Sequence, residues 1–147
     1  MAKLRGLVVG AGVAGKAVAH CMSDDGRAET VAFCESLESQ RKKAAEAFPE
    51  AVIGEDYRDL LDHVAPDFVV VAGPDHLHVA QAVVALESGC HVLIEKPMAT
   101  TLAAAVTLLA AEARAGKQVM VDFSMRYVHP WPAMVNAVKA GEIGRIF

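Results

Sequence analysis

The sequence is poor in cysteine, in aromatic residues and in clustered charge. Cys21, Cys34 and Cys90 are odd in number and widely spaced, so neither a disulfide framework nor a zinc site is expected. Such cysteine usage favours the cytoplasm. The formal net charge is -4 and the basic residues are scattered, so we expect no nucleic-acid partner and no anionic-membrane surface. A small soluble ligand is the better expectation.

Long hydrophobic runs are also missing. No stretch approaches the roughly 18 uncharged apolar residues that a membrane span needs. Lys3 and Arg5 precede an apolar run, as in a secretory signal, but three glycines and Lys16 interrupt it. We therefore expect no membrane association. With 147 residues, 54% of them hydrophobic, the chain can bury one well-packed core.

Short apolar runs alternate with helical patterns along the chain. Strands are predicted at 4–9, 30–34, 52–53, 68–72, 91–94 and 119–123, and helices at 13–23, 37–48, 56–64, 75–88 and 102–115. Regular alternation with short connections predicts an α/β Rossmann fold, a doubly wound parallel sheet of about six strands in the order 3-2-1-4-5-6.

Two helices are expected to turn a defined apolar face to that sheet. Helical spacing in the first predicts inward side chains at Val13, Ala17, Val18, Cys21 and Met22. The same reasoning for helix 102–115 predicts Leu102, Val106, Leu109, Ala110 and Ala113 as its inward face.

The stretch VVGAGVAGKA, residues 8–17, carries two possible nucleotide motifs. Gly10, Gly12 and Gly15 have the G-x-G-x-x-G spacing of a dinucleotide turn, in which backbone N–H groups at the helix start, including those of Val13 and Ala14, face a pyrophosphate. The same residues supply seven of the eight positions of a P-loop. Ala17 stands where that loop needs a hydroxyl for magnesium, although VMVD at 119–122 resembles the strand that completes such a site.

Glu35 favours the dinucleotide interpretation and indicates NAD. It follows the second strand, twenty residues after Gly15, where an acidic residue accepts hydrogen bonds from the adenosine ribose. Its carboxylate would repel the 2'-phosphate of NADP, and Ser36 follows it rather than an arginine. We expect residues 41–43 to form a solvated face. Arg41 could still reach round, so NADP use stays possible.

The second half of the sequence resembles a known family. VVVAGPDHLHVAQAVVALESGCHVLIEKP, residues 69–97, together with T-L-x-x-A at 101–105 and GEIGRI at 141–146, is similar to the glucose-fructose oxidoreductase, inositol dehydrogenase and MocA family of nicotinamide-dependent oxidoreductases. The resemblance runs over nearly the whole chain. It implies an oxidoreductase that transfers hydride to or from a secondary alcohol of a sugar, polyol or related metabolite.

The resemblance also implies roles for individual residues. Ala72, Pro74 and His78 would lie near the ribose and nicotinamide half of the cofactor, and Glu95 would contact the nicotinamide ribose. Lys96 would lie beside the nicotinamide ring and hydrogen-bond the reacting hydroxyl, followed by a cis bond to Pro97. On the substrate side, the resemblance places Arg126 and Tyr127 facing a cleft.

The residues themselves leave the role of Lys96 open. A lysine at the carboxyl end of a parallel strand lies where open α/β sheets bind ligands, and partial burial would suit it to polarise an oxygen. It could equally be a surface lysine beside Glu95. His76 and His78 do not predict a metal site, because residues two apart on a helix face different ways. His76 is expected to be exposed.

The sequence predicts a nucleotide-binding domain over 1–128. Residues 129–147 are expected to hold a connecting helix at 133–140 and a strand from Ile143 that includes Ile146 and Phe147. The family continues into a substrate domain, which normally supplies the acid-base residue and the contacts of a homo-oligomer. A fragment is therefore expected, inactive alone. A non-catalytic NAD-binding or sensor module, and a P-loop enzyme, remain as alternatives.

Overall fold

A computed structural model describes residues 2–146. Six parallel strands form one sheet in the order β3-β2-β1-β4-β5-β6, which confirms the predicted fold class and strand order. The strands are β1 Leu4–Val9, β2 Ala28–Cys34, β3 Val52–Gly54, β4 Phe68–Val71, β5 His91–Glu95 and β6 Val119–Asp122. The α-helices are α1 Val13–Asp25, α2 Glu38–Ala47, α3 Tyr57–Val64, α4 His78–Glu87, α5 Leu102–Ala115 and α6 Trp131–Lys139. Two 3-10 turns, Asp75–Leu77 and Ser124–Arg126, precede α4 and α6.

The two central strands carry the core. Alternate residues of β1 and β4 point to opposite faces of the sheet, and both faces are covered where these strands lie. Leu7 and Val71 belong to a larger cluster that includes residues of α3, α4 and α5, whereas Val8 and Val70 belong to a smaller one with residues of α1 and α2. The carboxyl ends of β1 and β4 therefore meet on a rigid base, where the strand order reverses.

The inward face predicted for α1 is confirmed for Val18 and Met22 and wrong for the other three residues. Val13, Ala17 and Cys21 are exposed, and the buried residues are Gly15 and Ala19, with Val18 and Met22 partly buried beside them. The helix begins at the glycine turn, so close to the sheet that only very small side chains fit between them. The helical pattern of the sequence shows which residues are hydrophobic, but it does not show that the helix lies too close to the sheet for large side chains.

The inward face predicted for α5 is also wrong. Leu108 and Ala111 are buried, whereas Leu102, Val106 and Leu109 are 81%, 57% and 56% exposed. Ala110 and Ala113 are exposed as well. This helix is apolar around most of its circumference, so the pattern alone does not define which side packs against α4 and the sheet.

The C-terminal segment differs from the expectation too. Helix α6 starts at Trp131, two residues earlier than predicted, and has no buried residue among those described. The strand expected from Ile143 does not form: residue 143 lies in a turn and residues 144–146 are irregular. Phe147 lies outside the described residues.

Candidate functional site

The three glycines of the first turn have different reasons to be glycine. Gly10 has φ +101°, and a Cβ there would lie 2.5 Å from the carbonyl oxygen of Ala72, so both backbone conformation and packing require glycine. A Cβ at Gly15 would overlap the carbonyl oxygen of Gly10. Because glycine has no Cβ, α1 can approach β1 closely at this position. A Cβ at Gly12 would meet nothing within 4 Å. Packing within the chain thus explains Gly10 and Gly15, whereas Gly12 borders space that a ligand could occupy.

The space beside Gly12 lies at the start of α1. Gly12 is the N-cap of this helix in an extended conformation, with no side chain to accept from the first-turn N–H groups. Val13 is 88% exposed and Ala14 is partly buried, so the first turn of the helix borders open space. Unpaired N–H groups and the positive end of the helix dipole form a site suited to a phosphate.

The Glu35 carboxylate is anchored at the end of β2. Its Oε2 accepts the N–H of Ala11 at 3.0 Å, within the glycine turn. Its Oε1 accepts the N–H of Leu37 at 3.0 Å and the hydroxyl of Ser36 at 3.3 Å. These bonds hold the carboxylate between the turns that follow β1 and β2, on the side of the glycine turn where an adenosine ribose would follow a pyrophosphate.

Arg41 does not belong to a solvated face, contrary to the sequence expectation. Its Nη1 donates to the carbonyl oxygens of Glu35 at 2.9 Å and Ser36 at 2.7 Å, and its Nη2 pairs with Glu55 at 2.5 Å. The side chain is only 19% exposed. Lys42 and Lys43 are exposed as expected. The guanidinium therefore braces the turn that presents Glu35.

A pocket of about 470 Å³ opens between the turns after β1, β2, β3 and β4, and we call it the Glu35 pocket. The residues predicted from sequence that line it are Gly10, Gly12, Glu35, Ala72 and Pro74. The structure brings these five together at the carboxyl edge of the sheet, as the fold requires of a ligand site.

Among the residues of the Glu35 pocket that were not predicted, three come from the segment after β3 and from α4. Glu55 and Tyr57 follow the short strand β3, and Gln81 comes from α4. The signal for the first two is their position after a parallel strand, because every such strand ends at the same edge. The Oε1 atom of Gln81 is buried with no hydrogen-bond partner among the described residues. No sequence pattern indicates that Gln81 reaches the pocket.

His78 lies beneath this edge rather than on its surface. The ring is 1% exposed, with Nε2 3.0 Å from the carbonyl oxygen of Gly73 and Nδ1 2.9 Å from that of Pro97. It thus joins the turn after β4 to the turn after β5. His76 is exposed, as expected. This geometry gives His78 a supporting position, and its direct contact with a cofactor stays a prediction.

Lys96 follows β5 and is exposed, so the partial burial that would suit it to polarise an oxygen is not seen. The Lys96–Pro97 peptide is cis, as the resemblance implies. The Glu95 carboxylate folds back to accept the N–H of Lys96 at 3.1 Å. The lysine side chain is therefore free to point outward from a turn that is fixed on both sides.

Lys96 lines a second cavity, which we call the Lys96 cavity. It has a volume of about 730 Å³ and lies between the ends of β5 and β6 and the start of α6. Arg126 and Tyr127 line it as well, together with Asp122, Phe123 and Trp131. The guanidinium of Arg126 lies over the ring of Phe123, 5.2 Å from its centroid. The three residues predicted to serve chemistry and substrate thus face one space.

The thiol of Cys34 lies beside the site at the end of β2. Burial raises the pKa of the Cys34 thiol to about 11, an effect that the negative charges of Asp56 and Glu35 reinforce. The Cys34 thiol donates to the carbonyl oxygen of Glu55 at 3.3 Å and stays protonated at neutral pH.

Residues 2–146 contain no group of three His, Cys, Asp or Glu side chains arranged to hold a metal ion. Nor does this part of the chain include a helix with the length and apolar character to cross a membrane.

Residues 4–123 match the model of a protein family described as an oxidoreductase family with an NAD-binding Rossmann fold, the family named after glucose-fructose oxidoreductase, inositol dehydrogenase and MocA. The chain belongs to this family. It is therefore an NAD-binding oxidoreductase domain, which confirms the dinucleotide interpretation of the first turn and excludes the P-loop alternative. The roles of single residues stay predictions.

Individual members of the family resemble the whole chain. D-glucoside 3-dehydrogenase of Escherichia coli is 35% identical over 98% of this chain and 41% of that protein. Inositol 2-dehydrogenase 1 of Saccharopolyspora erythraea is 38% identical over 90% of this chain and 36% of its own length. The chain thus spans about two fifths of the length of these curated relatives.

Among solved structures, the WlbA dehydrogenase from Bordetella pertussis, in complex with NADH and UDP-GlcNAcA, superposes with a TM-score of 0.88 at 30% identity. The superposition covers 99% of this chain and 45% of that one. A family member with this fold thus holds NADH. The open space at Gly12 and the free helix start fit the same cofactor in this chain.

Proposed function

We propose that this domain belongs to an NAD-dependent oxidoreductase that transfers hydride to or from a secondary alcohol of a sugar, polyol or related metabolite. One observation carries the proposal: the Glu35 pocket and the Lys96 cavity lie along the same edge of the sheet. Glu35 follows β2 and Lys96 follows β5, with β1 and β4 between them. At a strand spacing of about 4.8 Å this separation is about 14 Å, which suits an extended dinucleotide.

Each part of that edge would hold a different part of NAD. Gly12, Val13 and Ala14 would surround the pyrophosphate with backbone N–H groups. Gly10 would shape the turn beneath it, since its own N–H donates to the carbonyl oxygen of Cys34 at 2.8 Å. The Glu35 carboxylate would accept hydrogen bonds from the adenosine ribose.

Ala72, Pro74 and Glu95 would contact the half that carries nicotinamide, beside the Lys96–Pro97 turn. His78 would hold the turns after β4 and β5 in a fixed relation through its two carbonyl contacts. NAD supplies the hydride acceptor when it is bound.

Lys96 would act on the alcohol. Its side chain lines the Lys96 cavity and can donate to a hydroxyl oxygen, which orients the carbon that loses hydride and stabilises the oxygen as its charge changes. Arg126 and Tyr127 line the same space and would contact the rest of the substrate. Oxidation of an alcohol releases a proton, and the group that accepts it is expected outside residues 1–147.

The names of the relatives support the kind of substrate proposed. A glucoside dehydrogenase and an inositol dehydrogenase both act on ring alcohols according to their names, and both match nearly all of this chain. We infer a small-molecule substrate, no nucleic-acid partner, a cytoplasmic location and a homo-oligomeric intact protein. Residues 1–128 would form the cofactor domain, and 129–147 would lead into a substrate domain.

The test uses the protein encoded by the complete reading frame. Purified enzyme is mixed with NAD and a panel of inositols, hexosides and pentoses, and NADH formation is followed by absorbance. We expect turnover of at least one ring alcohol, with kcat lowered roughly 100-fold or more by Lys96→Met. Lys139→Met, a change of the same kind on α6, serves as the matched control. Full turnover by Lys96→Met would refute the role of Lys96, and tight NAD binding without any turnover would favour the non-catalytic sensor module.

A further inference from the structure

Two carboxylates, rather than one, face the Glu35 pocket. Glu35 comes from the end of β2, and Glu55 comes from the turn after β3. Backbone contacts fix the two segments against each other: the N–H of Glu35 donates to the carbonyl oxygen of Gly54 at 2.9 Å, and the Cys34 thiol donates to that of Glu55. The distance between the acidic residues is therefore a property of the sheet edge and not of flexible side chains alone.

A guanidinium lies between these segments. Arg41 donates from Nη1 to the carbonyl oxygens of Glu35 and Ser36, and it pairs through Nη2 with the Glu55 carboxylate. Arg41 is not among the residues that line the pocket, whereas Glu55 is. The pocket lining therefore includes Glu55 and not the guanidinium with which its carboxylate pairs.

The ion pair between Arg41 and Glu55 adds little to the free energy of folding. The Arg41 side chain is 19% exposed, but that of Glu55 is 69% exposed, so solvent screening at the carboxylate limits what the pair adds to the folding free energy. The effect of the ion pair on ligand binding is larger, because a guanidinium is the side chain best suited to bind a phosphate. The guanidinium of Arg41 also lies next to Ser36. Without Glu55, Arg41 would have N–H donors available beside the Glu35 carboxylate, where the 2'-phosphate of NADP would lie.

We propose that Glu55 is a specificity-determining residue that makes this site select NAD against NADP. It neutralises and holds Arg41 away from the 2' position, and its own negative charge adds to that of Glu35 in repelling a phosphate. The inference rests on the proposed function, because it requires that the Glu35 pocket holds the adenosine ribose of NAD.

The test compares the affinities of NAD and NADP by calorimetry for the chain and three variants. Glu55→Gln removes the charge and keeps the shape. Glu38→Gln is the matched control, because Glu38 loses the same charge on the adjacent helix, pairs with exposed Lys42 and lies outside the pocket lining. The double variant Glu55→Gln with Arg41→Ala removes the guanidinium as well.

We expect Glu55→Gln to raise the ratio of NADP to NAD affinity about tenfold, which corresponds to about 1.4 kcal/mol. Glu38→Gln should change the ratio by less than about twofold, and the double variant should lose most of the gain. Equal ratios for Glu55→Gln and Glu38→Gln, with NAD still bound, would overturn the role of Glu55 and leave the NAD site intact. A gain that survives removal of Arg41 would overturn the role of the guanidinium. Failure of the parent chain to bind either nucleotide would overturn the proposed function itself.

Discussion

Substitution of Gly12 by alanine should separate binding from folding. A Cβ at this position meets nothing within 4 Å, and the backbone angles, φ -72° and ψ -163°, are open to any residue. Alanine is a poorer N-cap than glycine by about 0.5–1 kcal/mol, and its lower entropy in the unfolded chain returns about 0.4–1 kcal/mol. The free energy of unfolding should therefore change by less than about 1 kcal/mol.

The effect of the same methyl group on NAD should be large. It fills the space through which the pyrophosphate approaches the start of α1, so one or more charge-assisted hydrogen bonds lengthen or break. Each is worth about 1.5–3 kcal/mol, and affinity should fall roughly ten- to a hundredfold. Calorimetric titration with NAD measures this loss, and thermal unfolding of the same sample measures stability.

Gly15→Ala is the contrasting variant. Its Cβ would overlap the carbonyl oxygen of Gly10, so the helix or the turn must shift. Such overpacking costs about 1–3 kcal/mol, which lowers the melting temperature by roughly 3–10 °C. Unchanged NAD affinity in Gly12→Ala, or a melting temperature as low as that of Gly15→Ala, would refute the assignment of the Gly12 space to a ligand.

Three further outcomes are expected. Glu35→Ala should narrow the preference for NAD over NADP, and an unchanged ratio in calorimetry would exclude its ribose contact. His78→Leu removes the ring N–H that is donated to the carbonyl oxygen of Gly73 or of Pro97 and should cost about 1–3 kcal/mol in chemical denaturation, whereas equal midpoints would show that the ring contributes nothing. At pH 8 a maleimide should label exposed Cys21 and spare Cys34, whose pKa is raised to about 11, and labelling of Cys34 as fast as Cys21 would contradict this. Because the thiol of Cys34 stays protonated in the folded chain, its contribution to stability should decline as the pH rises from about 9 to about 11.

Local signals in the sequence were sufficient for the sheet and for the cofactor motif. Helix α5 has the predicted bounds because Thr101 caps its start, accepting the N–H of Ala104, and Gly116 ends it in a left-handed conformation. The spacing of Glu35 from Gly15 predicted its place beside the glycine turn, since a strand, a turn and a helix of standard length bring the two to one edge, and its contact with the ribose stays a prediction. These features depend on residues near one another in sequence.

Features that depend on distant segments were missed. The partner of Arg41 comes from the turn after β3, so the sequence alone indicated a solvated charge. Helices α1 and α5 are apolar on more than one side, and the close approach at Gly15 or at Ala111 decides which side is buried. The strand expected from Ile143 lacks a neighbouring strand among the described residues, and an apolar run without a pairing partner does not form a sheet.

The edge formed by Gly12 and Glu35 is proposed to hold NAD. The most direct test is to titrate this chain in parallel with NAD, NADP and magnesium-ATP in a calorimeter. NAD should bind most tightly, and Gly12→Ala should weaken its binding roughly ten- to a hundredfold. Preferential binding of magnesium-ATP, or an NAD affinity that Gly12→Ala leaves unchanged, would contradict the assignment of NAD to this edge.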